Sequence, residues 1–61
     1  MEFDTANKHL VGLKGDQVVV MVPPRAPLSR EEAMMLAVWL VAISGVDLET
    51  FRQAYEAVAN A

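Results

Sequence analysis

From Ala33 to Ile43 the chain runs through eleven apolar residues (AMMLAVWLVAI) without a polar interruption. Just upstream, Ser29-Arg30-Glu31-Glu32 has the spacing of a capping box, in which a serine hydroxyl reaches the backbone three residues on and a glutamate reaches back. Glu31 and Glu32 also sit where the positive end of a helix dipole favours carboxylates. The pattern predicts a helix from about Arg30 to about Ser44, closed by Gly45 in a left-handed cap.

Asp47 then caps a second predicted helix, Leu48 to about Ala59, in which Leu48, Phe51, Tyr55 and Val58 recur at spacings of three, four and three. They form one stripe. Glu49, Arg52, Gln53 and Glu56 face away from it, so this helix is amphipathic and is expected to cover one side of the first.

Before the helices, His9 to Leu13 and Gln17 to Val22 are β-rich runs separated by Lys14-Gly15-Asp16. That predicts a hairpin over about 9–22 with a three-residue loop. Pro23-Pro24-Arg25-Ala26-Pro27 ends the second strand, because proline cannot donate to a ladder and holds the connector extended. Met1 to Lys8 reads as an edge strand or an ordered arm. The whole is α+β, ββαα, one domain over 1–61.

A helix that is apolar on every side has to be covered on every side. A domain of about 60 residues buries only ~60% of its unfolded surface and usually needs a staple or a partner. The second strand repeats the problem, since Val18, Val20 and Val22 point one way and Val19 and Met21 the other. The expectation is an obligate homo-oligomer with Met34, Met35, Val38 and Trp39 of the first helix and Val19 and Met21 of the strand at its interface. Trp39 with its neighbouring methionines is better read as core or interface than as a ligand pocket.

Composition removes the other staples. There is no cysteine and only one histidine, His9, so neither a disulfide nor a multi-ligand metal site can be built within one chain, and no cofactor is expected. The same inventory argues against an enzyme. The lone imidazole is far in sequence from Ser29, Ser44, Thr5 and Thr50, and Glu31 and Glu32, adjacent on a helix, diverge by about 100° and make a poor acid/base couple.

Five Lys plus Arg stand against eight Asp plus Glu, a net charge of -3, so attraction to a nucleic-acid backbone is not expected. Four of the cations, Lys8, Lys14, Arg25 and Arg30, nevertheless lie in the first half. Arg25 and Arg30 flank the start of the first helix, where backbone N–H groups also favour an anion. Lys8, His9 and Lys14 are the candidates to complete such a site, while Glu31 and Glu32 oppose it.

Other readings fare less well. Leu36 to Ala57 has the outline of a helix-turn-helix, yet its second helix offers only Thr50, Arg52 and Gln53 for DNA, beside Glu49 and Glu56. Pro24-Arg25-Ala26-Pro27 matches a proline-ligand motif but is tethered at both ends as a connector. The apolar run rises about 16 Å as a helix, roughly half a hydrocarbon core, so no membrane span is expected. The polar, acidic start (MEFDTANKH) has no secretory pattern, and a cytoplasmic location is expected.

The valine-rich strand, PPRAPLSREEAMMLAVWLVAI and the terminal FRQAYEAVANA together resemble a group of short accessory proteins of tailed phages, over most of the chain from Leu10 onward. The shared pattern carries no catalytic signature. The resemblance implies an infected bacterial host and a role exercised by binding, either blocking a host protein or taking up a nucleotide signal of host defence. The expected function is therefore sequestration of a small anionic ligand, a nucleotide, between subunits. The alternatives are a protein-binding inhibitor or scaffold and, third, a helix-turn-helix regulator.

Overall fold

A computed structural model describes residues 2–61; Met1, the first residue of the expected arm, lies outside them. The elements are β1 (Val11–Lys14), β2 (Gln17–Val20), α1 (Arg30–Ser44) and α2 (Leu48–Ala59). The order ββαα and both helices follow the sequence pattern. The strands are shorter than expected.

β1 and β2 pair antiparallel, with Val11 opposite Val20 and Lys14 opposite Gln17. That register leaves a two-residue turn, Gly15-Asp16, in place of the expected three-residue loop. Gly15 takes φ 63° and Asp16 does not turn positive, the pattern of a type II′ turn with glycine first. β1 starts at Val11, not His9, because Leu10 adopts φ 46°, a left-handed conformation that interrupts extended chain. Met21 and Val22 still donate their N–H groups to the carbonyls of Leu10 and His9, at 3.3 and 3.0 Å.

The segment before β1 is an arm without strand character. The Ala6 N–H donates to Asp4 Oδ1 at 3.1 Å and Lys8 Nζ pairs with Asp4 Oδ2 at 3.0 Å. Across the molecule, Trp39 Nε1–H donates to the Thr5 carbonyl at 3.1 Å and ties the arm to α1.

α1 has both halves of its capping box: Ser29 Oγ accepts from the Glu32 N–H and Glu32 Oε1 accepts from the Ser29 N–H, each at 3.0 Å. It ends in Gly45 at φ 72°. α2 is capped by Asp47, whose Oδ1 accepts from the Thr50 N–H at 2.7 Å. These signals explain why the helix bounds were legible in the sequence.

Packing departs from expectation. α1 lies on the hairpin, and Val11, 4% exposed, is the one buried hydrophobic residue described. α2 does not cover α1. It makes no extended contact with any other element, and all of its residues are exposed. The reason lies in the short connection, where Gly45 in its left-handed cap and Asp47 in extended chain send the two helix axes apart.

Accessible surface follows from this. The chain exposes 5184 Å², against about 3,900 Å² for a compact monomer of 6.7 kDa. Its radius of gyration is 12.5 Å, where a compact chain of this length has about 10.5 Å.

Candidate functional site

Two concavities flank α1. The first, about 280 Å³, opens between the arm, the start of β1 and the N-terminal half of α1, with Met35, Leu36 and Trp39 as its apolar wall and Asp4, Lys8, His9, Glu31 and Glu32 as its ionisable lining. The second, about 610 Å³, is the wedge between the diverging helices.

Of the five residues expected to hold an anion, the first concavity brings together Lys8 and His9, whereas Lys14, Arg25 and Arg30 do not line it. It is not an anion pocket. Three carboxylates share it with one ammonium, and that ammonium is spent on Asp4 at 3.0 Å. The hydrogen bond to Asp4 and its charge raise the Lys8 pKa, and the same hydrogen bond lowers that of Asp4. His9 Nδ1 lies 2.7 Å from the Val22 carbonyl, which fixes that nitrogen as the N–H donor.

Lys14, Arg25 and Arg30 have no carboxylate partner at ion-pair distance among the described residues. Arg52, the basic residue of the helix-turn-helix reading, is held by Glu49 and Glu56, each at 2.7 Å. Gln53 leans on Glu49 as well. The polar face of α2 is thus internally paired.

The six expected interface residues divide. Met34 and Val38 line the wedge, 42% and 51% exposed; Met35 and Trp39 face the smaller concavity and are half-buried. Val19 is half-buried on β2, and Met21 beyond it is exposed. Two residues escaped sequence reading. Asp4 organises the arm by its bonds to Ala6 and Lys8, and Asn7 clasps Val11 through both its side-chain oxygen and nitrogen. An Asp followed two residues later by a backbone donor and four later by lysine was the available signal for the first.

The caps make stability dependent on pH. The Ser29 N–H and hydroxyl hold Glu32 below its ordinary 4.5, and the Thr50 N–H holds Asp47 below 3.8. A carboxyl with a lowered folded pKa stabilises fully above its unfolded pKa and loses that contribution as pH falls through the folded value. The thermal midpoint is therefore expected to fall on acidification below about pH 4.5, and Glu32→Gln to flatten the slope; thermal melts from neutral pH down to about pH 2 check this.

No family model, curated protein or solved structure matches this chain. No described helix is long and apolar enough to cross a membrane.

Proposed function

We propose that this chain is a non-catalytic binding protein that works as a homo-oligomer and captures a small anionic ligand, of nucleotide class, on Arg25, Arg30 and Lys14. The observation that carries the ligand class is the division of the cations. Lys8 and Arg52 are neutralised by neighbouring carboxylates, while Lys14 at the end of β1, Arg25 in the connector and Arg30 at the start of α1 stand without such partners among the described residues. Unpaired guanidinium groups are suited to phosphate oxygens, which they grip in pairs of hydrogen bonds.

Self-association is supported by the excess of exposed surface, and it would bring several copies of these cations into one assembly. The resemblance to tailed-phage accessory proteins favours a nucleotide signal of host defence over a metabolic anion. Lys8 and His9, whose surroundings are acidic, are left out of the site.

Thermal shift with a panel of linear and cyclic nucleotides, with inorganic phosphate as control, tests the reading. A ligand at 100 times its Kd adds about 2.7 kcal/mol, an upward shift of about 10 °C or more for a domain of this size. Arg25→Ala with Arg30→Ala is expected to abolish it. If no nucleotide shifts the midpoint and the protein instead retains one host protein, the inhibitor or scaffold reading replaces this one.

A further inference from the structure

Resting on the homo-oligomer read above, we infer that the wedge between α1 and α2 is filled by the α2 helix of a second copy, so that α2 is an arm exchanged between subunits. The wedge is walled by Met34, Val38 and Val41 on α1 and by Leu48, Phe51 and Tyr55 on α2. None of its lining residues carries a formal charge at neutral pH. Both walls face solvent within one copy.

Four observations converge on a second copy as the occupant. A 12-residue helix is marginal in water by itself and takes its stability from packing an apolar face, yet α2 makes no extended contact with any other element of its own chain. Leu48, Tyr55 and Val58 are 79%, 63% and 76% exposed, a stripe of large side chains with no cover.

The third is area. The excess over a compact monomer is about 1,300 Å² per copy, so one two-fold partner that removed it would bury about 2,600 Å² in total, within the range of obligate homodimers. The fourth is chemical fit. A neutral groove wants a neutral apolar helix, and α2 presents one, with its charges held on the opposite face by the Arg52 pairs to Glu49 and Glu56. A two-fold axis makes the contact reciprocal: each α2 seats on the other copy's α1.

The chain has no cysteine, which makes cross-linking clean. Tyr55→Cys is mixed and refolded in turn with Met34→Cys, Val38→Cys and Val41→Cys, each variant first confirmed by circular dichroism to fold when reduced, and the mixtures are oxidised. At least one pair is expected to give a disulfide between the two different chains in clear excess over either like pair. A chain carrying both substitutions is expected to cross-link between copies.

A bridge closed within one chain overturns the exchange, as does a wild-type oligomer, established by sedimentation, that yields no mixed disulfide from any pair. In those cases the homo-oligomer survives. A wild-type chain that sediments as a single copy at all concentrations removes both, and apolar peptide helices then test the wedge for a foreign occupant.

Discussion

In the exchanged dimer proposed above, Phe51→Asp is expected to leave single copies with a frayed α2 helix, the largest effect of any of these substitutions. Phe51 stands in the wedge, 38% exposed, with its ring 6.5 Å from that of Tyr55. Truncating a buried phenylalanine costs about 3–5 kcal/mol, and a carboxylate brought into an uncharged interface has no cation to meet it. In a two-fold contact the change acts twice. The association constant should fall at least a hundredfold per site, by the lower of those costs. Sedimentation and far-ultraviolet circular dichroism would follow the loss of mass and of helix together. Gln53→Lys, on the paired polar face, should leave both unchanged; if it disrupts assembly as strongly as Phe51→Asp, the apolar stripe is not the interface.

The sequence and the structure agree best where the determinants are local. Ser29 with Glu32, Asp47 with Thr50, and Gly45 are contacts within a turn of chain, and the helix ends could be read from them. The strand ends could not, because Leu10 has a side chain that gives no warning of φ 46°. Nor could the placement of α2. An amphipathic stripe states that a helix needs a partner but not whether that partner is in the same chain. The same ambiguity applies to α1, whose run from Ala33 to Ile43 is only half-buried along one side by the hairpin. For the candidate site, the type of residue was legible and its pairing was not. Lys8 differs from Arg25 because Asp4 is folded back onto it, a fact of arm geometry.

That division of cations also bears on the start of α1. Its start is crowded by Glu31 and Glu32, and Glu32 is fully engaged with Ser29. A bound anion at the helix dipole would have to displace these carboxylates from a position they already stabilise. Arg25, several residues before the cap, does not carry that penalty. For this reason the nucleotide reading depends on Arg25 more than on Arg30, and the single Arg25→Ala variant should lose more of the thermal shift than Arg30→Ala.

Asn7→Ala is expected to cost about 2–4 kcal/mol, a large part of the stability of a small domain. A two-residue turn closed by Lys14 and Gln17 makes Gly12 and Val19 the next hydrogen-bonded pair, since such pairs alternate along an antiparallel ladder. The N–H and carbonyl of Val11 therefore point away from β2. Asn7 meets both, its Oδ1 accepting from the Val11 N–H and its Nδ2 donating to the Val11 carbonyl, each at 2.9 Å. The side chain acts as a one-residue third strand beside Val11, the most buried of the described residues. Alanine leaves two backbone groups unsatisfied, at about 1–3 kcal/mol each where water cannot reach them. Leu10, just before β1, holds an unfavourable left-handed conformation that the Asn7 bonds help to offset. The arm that Asn7 anchors carries Thr5, the acceptor of the Trp39 indole N–H, so the lone tryptophan reports the event. Its emission should shift to the red and its quenching rise, with a fall in midpoint of about 10 °C. Leu10→Gly in the Asn7→Ala background should recover about 1 kcal/mol, because glycine occupies that φ without penalty. An Asn7→Ala protein that melts like the wild type, with unchanged Trp39 emission, would show that water serves Val11 as well as Asn7 does.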